Sequence, residues 1–190
     1  MNEPAIYLIT GIMASGKSTV AQLLAARFPR SVHLRGDLFR RMIVNDRQEV
    51  RPDAAEEELN QLRLRYRLAA QAAESYAQEG FTVIMQDVVV GRLLHDMIGF
   101  VRRRPFYVTV LCPRPDVAAA REAGRSKQGY GIWTVEALDE VLRKETPRVG
   151  LWLDSSDLTP EETADAILRR AADEAAIGGC PIRAYSHTIG

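Results

Sequence analysis

The chain has 190 residues, and its 25 lysines and arginines are balanced by 25 aspartates and glutamates, so its net charge is zero. Hydrophobic residues make up 46% and charged residues 26%, which excludes a disordered chain, and the neutral balance argues against a protein that coats nucleic acid. No apolar run reaches the roughly 18 residues of a membrane span and no signal peptide is recognisable, so we expect a cytoplasmic protein without a membrane partner.

Short apolar segments alternate with amphipathic segments along the chain, as strands alternate with helices. In chain order, the predicted strands are Ala5–Thr10, Ser31–Arg35, Phe81–Met85, Phe106–Leu111 and Val149–Leu153. The predicted helices are Lys17–Phe28, a short helix that Asp37 caps, Ala54–Gln78, Gly91–Arg104, Asp116–Gly124, Thr134–Glu145 and a last helix that Thr159 caps. This alternation predicts a three-layer α/β fold, with a five-stranded parallel sheet and helices on both of its faces.

The length predicts a single domain, since domains average about 150 residues. We place this domain at residues 1–177, with a short lid at about 121–146. Residues 178–190 show no periodicity and are predicted to form a loosely held tail. The two cysteines, Cys112 and Cys180, are too few and too far apart for a disulfide framework or a zinc site.

The strongest motif is the glycine-rich segment that runs from Gly11 to Thr19 and fits the pattern G-x-x-x-x-G-K-[ST]. It follows an apolar strand and opens a helix, which is the context that a phosphate-binding loop needs. The predicted nucleotide-binding residues of the loop are Gly11, Ala14, Ser15, Gly16, Lys17, Ser18 and Thr19. Lys17 is expected to reach the β- and γ-phosphates of ATP, and the Ser18 hydroxyl to bind Mg²⁺.

Motifs that the sequence lacks exclude some classes of nucleotide-binding protein. No N-K-x-D tetrapeptide is present to read guanine, and no L-S-G-G-Q segment of a transport ATPase is present. A small phosphotransferase remains, with ATP as the donor and an acceptor at the carboxyl edge of the sheet.

Charged residues follow two of the predicted strands at this edge. Asp37 comes directly after the second strand, where a carboxylate can take the proton of an attacking hydroxyl. Arg40 lies one helical turn further on and could clamp an anionic group of the acceptor. Asp87 ends the third strand, where it could bind Mg²⁺ or the acceptor, and Arg92 lies just beyond it.

A basic, glycine-rich stretch follows the fourth strand and is predicted to form the lid. Arg121 and Arg125 are one helical turn apart, and Lys127 follows them. Cations that close over the transferring phosphoryl group would stabilise its charge and exclude water. We therefore predict that Arg121 and Arg125 act in catalysis and that Arg121 also contacts the nucleotide.

Several short segments together carry a resemblance to a known family. They are the loop Gly11–Thr19, the tripeptide Arg35–Asp37, the strand end Gln86-Asp87, the spacing Arg121-x-x-x-Arg125 and the segment Asp154–Thr163. With them the chain resembles the chloramphenicol phosphotransferase-like small-molecule kinases, relatives of shikimate, gluconate and adenylate kinases. The resemblance implies a P-loop kinase fold, ATP and Mg²⁺ as cofactors, and Asp37 as the base. The lid lacks the Asp-Asp pair usual in adenylate kinases, and residues 43–61 match no substrate-specific pattern.

The resulting functional prediction is ATP-dependent phosphorylation of a hydroxyl on a small molecule, either an antibiotic or a metabolite. Asp37, Arg40, Asp87 and Arg92 are the predicted acceptor-binding residues. A nucleoside monophosphate kinase is a second hypothesis, because Gly-Asp-x-x-Arg resembles a motif in which the arginine holds the acceptor phosphate. A nucleotide-dependent switch ATPase or a 5′-end nucleic-acid kinase is a third hypothesis, and homo-oligomerisation stays open.

Overall fold

The computed structural model describes residues 3–51, 54–124 and 133–178. Five parallel strands form one sheet in the order β2-β3-β1-β4-β5. The strands are β1 (Ile6–Gly11), β2 (Ser31–Arg35), β3 (Thr82–Gln86), β4 (Phe106–Leu111) and β5 (Leu151–Leu153). The predicted α/β fold with a five-stranded parallel sheet is therefore confirmed.

The helices lie between the strands along the chain. They are α1 (Lys17–Ala25), α2 (Asp37–Arg41), α3 (Glu56–Gln78), α4 (Leu93–Phe100), α5 (Pro115–Ala123), α6 (Val135–Glu140) and α7 (Pro160–Arg170), and one π-helical turn follows each of the last two, at Val141–Glu145 and Ala171–Ala175. Thr159 caps α7 as predicted, and it forms a capping box with Glu162. The predicted cap of α2 is wrong by one residue, because Gly36 is the N-cap and Asp37 is the first helical residue.

Parts of the predicted lid and tail, including Arg125, lie outside the described residues. None of the described helices is long and apolar enough to cross a membrane.

The core is divided between the two faces of the sheet. Successive residues of β1 point to opposite faces, so that Ile6 and Leu8 enter one cluster and Tyr7 and Ile9 the other. The first cluster also holds residues of α3, α4 and α6, and the second holds residues of α1 and α7. All six residues of β1 are buried, which explains why its sequence is a continuous apolar run.

The strand order brings three strand ends to one place. In β3, Gln86 pairs with Ile9 of β1 on one side and with Arg35 of β2 on the other. The chain leaves all three strands at the same edge, because the strands are parallel. The segments after β1, β2 and β3 therefore meet there. A pair of hydrogen bonds between the Thr10 hydroxyl and the backbone of Val89 (2.8 and 2.9 Å) joins the end of β1 to the segment after β3.

A close backbone approach at Gly150 gives a test of this packing. Gly150 has a φ of 72°, and a Cβ atom there would overlap the carbonyl oxygen of Val108 in β4. We expect Gly150→Ala to lower the free energy of unfolding by about 2 kcal/mol or more, measured by urea denaturation. Gly99→Ala is the matched control, because a Cβ atom at Gly99 meets nothing within 4 Å and alanine favours the helix by about 0.5–1 kcal/mol. Equal effects of the two substitutions would contradict the packing of β4 against this turn.

Candidate active site

The loop between β1 and α1 has the backbone shape of an anion cradle. Gly11 and Gly16 have φ angles of 142° and 92°, which side chains other than glycine rarely adopt. At Gly11 there is also no room for a side chain, because a Cβ atom would overlap the Leu111 carbonyl oxygen. The first N–H groups of α1, which begins at Lys17, have no carbonyl one turn earlier to bond. This loop can therefore offer backbone donors and a positive helix end to phosphate oxygens.

Lys17 lies across this loop. It is buried, and its ammonium group donates a hydrogen bond to the Ile12 carbonyl oxygen at 2.5 Å and approaches the Ser15 hydroxyl at 3.5 Å. These contacts keep the charged end at the mouth of the cradle. Ser18 follows at the start of α1 with an exposed side chain, and its binding of Mg²⁺ stays a prediction. Among the described residues no group of three histidines, cysteines or carboxylates could hold a metal ion, so the structure offers no competing metal centre.

Asp37 lies at the same edge, in the first turn of α2. Arg41, one turn further along, forms an ion pair with it, with Nη2 2.6 Å from Oδ2, and the Arg35 Nε lies 3.5 Å from Oδ1. Oδ1 is buried and makes no hydrogen bond to any described residue. A buried acceptor oxygen that accepts no hydrogen bond is costly, so this atom is well suited to bind a hydroxyl that enters the cleft.

Asp87 is held by an arginine that the sequence pattern did not single out. Arg65, in the middle of α3, donates from Nε to Oδ2 at 2.8 Å and from Nη2 to Oδ1. The backbone N–H of Val88 also donates to Oδ1, at 2.7 Å. A Cβ atom on Gly36 would overlap this carboxylate, so glycine is needed there for Asp87 to fit. Both oxygens of Asp87 are thus engaged with a cation, which does not favour direct coordination of Mg²⁺, and that role stays a prediction.

The Arg65 side chain is only 13% exposed and lies near the ring of Tyr66. Burial by itself lowers the pKa of Arg65, but the charge of Asp87 and the hydrogen bonds to it raise it, and the pKa ends above its ordinary value. The guanidinium is therefore charged at every physiological pH. The sequence pattern of α3 did not indicate that Arg65 holds Asp87, because the two residues are 22 positions apart in the chain.

Arg40 and Arg92 differ in their surroundings. Arg40 donates two hydrogen bonds to the Gln48 carbonyl oxygen, at 3.1 and 2.9 Å, and lies 3.4 Å from Glu49. It therefore holds residues 42–51, which we call the flap, against α2. Arg92 precedes α4 with an exposed side chain that makes no hydrogen bond or ion pair to any described residue. Both line the cleft, and their binding of an acceptor stays a prediction.

The described residues of the predicted lid contact the loop after β5 and the flap. Arg121 in α5 donates to the Ser155 carbonyl oxygen at 3.0 Å, in the loop after β5. Trp133 donates from its indole nitrogen to the Val50 carbonyl oxygen of the flap at 2.8 Å. The lid side of the molecule thus contacts both the loop after β5 and the acceptor side.

These elements enclose a cleft of about 1360 Å³ between the phosphate loop, α2, the flap, α3 and the start of α4. Among the described residues, eight cationic side chains and four carboxylates line it. The cations are Lys17, Arg35, Arg40, Arg41, Arg47, Arg51, Arg65 and Arg92. The carboxylates are Asp37, Glu49, Asp87 and Glu145. A chain without net charge therefore has a strongly positive cleft, which suits anionic ligands.

Comparison with known proteins agrees with this geometry. A family model described as an AAA domain matches residues 6–147. The sequence matches none of the curated proteins with which we compared it.

Solved structures share the fold at low sequence identity. A sugar kinase from Janibacter sp. HTCC2649 aligns over 88% of this chain and 94% of its own, with a TM-score of 0.65 and 16% identity. The APS kinase of Mycobacterium tuberculosis, solved with AMPPNP and APS, aligns over 89% of this chain and 98% of its own, with a TM-score of 0.65 and 16% identity. The tunicamycin resistance protein of Deinococcus radiodurans aligns over 93% and 99%, with a TM-score of 0.62 and 17% identity. The predicted P-loop kinase fold is confirmed, whereas the narrower resemblance to chloramphenicol phosphotransferases stays a prediction.

The position of Lys17 leads to a prediction about nucleotide binding. We expect Lys17→Met to weaken the binding of a non-hydrolysable ATP analogue by about tenfold or more, because it removes a charged donor but keeps the buried methylene chain. Isothermal titration calorimetry measures this affinity. Lys144→Met is the control, because Lys144 is exposed and paired with Glu140 at 2.6 Å, outside the cleft. If the two variants bound the analogue equally well, the cradle would not be the nucleotide site.

Proposed function

This chain belongs to the family of AAA domains, and on that premise we propose that it is an ATP-dependent phosphotransferase acting on a hydroxyl of a small molecule. One observation carries the proposal: the phosphate loop and Asp37, whose Oδ1 accepts no hydrogen bond from any described residue, line the same cleft. A donor of phosphate and a base for the attacking hydroxyl are the two parts that this reaction needs. The sugar kinase and the APS kinase that share the fold support the proposal by analogy.

In the proposed complex the loop residues named above hold the phosphates of ATP, and Arg121 contacts the nucleotide. Lys17 exchanges part of its contact with Ile12 for a phosphate oxygen. Ser18 fits Mg²⁺, which when bound would neutralise charge on the phosphates. These interactions would hold the γ-phosphate in the cleft that Asp37 also lines.

The acceptor hydroxyl binds to Oδ1 of Asp37, and its proton passes to this carboxylate as the oxygen attacks phosphorus. A bond forms between the acceptor oxygen and the γ-phosphorus while the bond from that phosphorus to the bridging oxygen breaks. ADP leaves with the electron pair of the broken bond. Arg41 orients the carboxylate by its contact with Oδ2, which leaves Oδ1 for the acceptor.

Arg121 and Arg125 complete the proposed machinery. Arg121 extends from α5 to the loop after β5. Arg125 follows it by one turn in the sequence and lies outside the described residues. We propose that the two cations stabilise the charge of the transferring phosphoryl group when the lid closes.

The hypothesis of a nucleoside monophosphate kinase gains no support from the position of Arg40. Its guanidinium already donates to Gln48 and Glu49 of the flap, so not all of its donors are available to an acceptor phosphate. The neutral charge of the chain as a whole likewise gives no support to a nucleic-acid acceptor.

The proposed activity can be tested by ADP release from Mg-ATP with a panel of hydroxylated metabolites, antibiotics and nucleoside monophosphates. We expect at least one alcohol to stimulate ADP release above the rate with water alone, with a matching phosphorylated product seen by mass spectrometry. Stimulation only by nucleoside monophosphates would instead show a monophosphate kinase. Stimulation by no member of the panel, together with ATP hydrolysis that a protein or RNA accelerates, would favour a switch ATPase.

The role of Asp37 gives a sharper prediction. Asp37→Asn should lower kcat with the true acceptor by about 100-fold or more, because the amide cannot take the proton, while ATP affinity changes little. Steady-state kinetics and calorimetry measure the two effects. Asp165→Asn is the control, since Asp165 in α7 pairs with Arg27 on the exposed surface. Full turnover by the Asp37→Asn variant would show that Asp37 is not the base.

A further inference from the structure

The guanidinium of Arg65 is fixed in place and only partly used. Its Nε and Nη2 donate to Asp87, so these two hydrogen bonds fix the orientation of the planar group. Asp87 is itself 5% exposed and is held by the backbone of Val88 and the close approach of Gly36. Nη1 makes no hydrogen bond to any described residue, although a guanidinium has five N–H donors. Arg65 therefore presents unused, immobile donors to the cleft that it lines.

The position of Arg65 is on the acceptor side of the cleft. It extends from α3 beside the end of β3, and it is near enough to Asp37 for the two charges to interact. The phosphate loop lies at the end of β1, the next strand in the sheet. An anion bound to Arg65 would thus lie beside the proposed base, at the end of the strand next to the one that carries the nucleotide cradle.

The cleft has more cationic side chains than carboxylates. Seven arginines line it besides Lys17, against four carboxylates. Arg47 and Arg92 make no ion pair with any described residue, so part of this positive charge is available to a ligand. The chain as a whole is neutral, so this concentration of charge belongs to the cleft and not to the composition.

We propose that the acceptor is an anionic alcohol, which carries a carboxylate, phosphate or sulfate group in addition to its reacting hydroxyl, and that Arg65 binds this group. Asp87 is then a positioning residue that holds Arg65, and it does not contact the acceptor. The inference rests on the proposed phosphotransfer, because it concerns the acceptor of that reaction.

Inorganic phosphate is a probe of this subsite that requires no catalysis. The protein is first saturated with a non-hydrolysable ATP analogue and Mg²⁺, so that the phosphate loop is filled. Phosphate, sulfate and acetate are then titrated while the Nε–H signals of the arginine side chains are followed by ¹⁵N NMR. We expect the Arg65 signal to shift until the anion saturates the site. Arg65→Lys should weaken anion binding by about tenfold or more, because lysine keeps the charge but lacks the planar fork of donors.

Two further variants separate binding from folding. Arg65→Gln combined with Asp87→Asn removes both buried charges together, so the variant should fold and yet fail to bind the anion. Arg63→Gln is the matched control on the same helix, since Arg63 pairs with Asp96 and Glu56 outside the cleft. Unchanged anion affinity in Arg65→Lys, or in the double variant, would overturn the subsite.

Kinetics with paired acceptors distinguishes this inference from the function on which it rests. Each anionic alcohol is compared with its neutral ester or amide, and we expect kcat/KM to favour the anionic form by about tenfold or more. Transfer to neutral alcohols with no preference for the anionic form would overturn the anionic acceptor and leave phosphotransfer intact. Anion binding that depends on Arg65, with no phosphotransfer to any alcohol, would support the subsite and refute the proposed function.

Discussion

A parallel sheet that is covered on both faces has one place for chemistry, which is the edge where its strands end. β1 is buried along its whole length, between α3 and α4 on one side and α1 and α7 on the other. Polar side chains cannot be placed along such a strand without losing their hydrogen bonds to water. The phosphate loop, Asp37 and Asp87 therefore all lie just beyond strand ends, and the register of β3 with its two neighbours brings them together.

The ion pair of Arg65 and Asp87 is the most buried charged contact of the cleft among the described residues. Removal of two charges from water costs several kcal/mol per ion, and an apolar pair of similar volume is often as stable or more stable. Stability alone thus gives little reason for this pair at this place. The anion subsite proposed above gives a stronger reason, because the pair fixes the guanidinium, and the absence of a side chain at Gly36 leaves room for Asp87. The pair is therefore better explained by recognition than by folding.

The flap is tied to the elements on both sides of it. Arg40 and Gln61 hold it to α2 and α3, through Gln48 and Asp46. Trp133 joins the flap to the lid side through the Val50 carbonyl oxygen. A displacement of the lid side would therefore also act on the flap, and such coupling suits an enzyme that must exclude water from both substrates.

The sequence by itself determined the strand and helix pattern, the phosphate loop and the strand-end position of Asp37, because periodicity and backbone turns are local properties. It misplaced the cap of α2 by one residue, since aspartate is a preferred N-cap residue, whereas here Gly36 takes that position and Asp37 begins the helix. Only the tertiary structure decided what the charged side chains do: Asp87 and Arg65 meet across 22 residues, and Arg40 binds the flap. Such pairs depend on how α3 and the flap pack against the sheet, and no spacing along the chain records that packing.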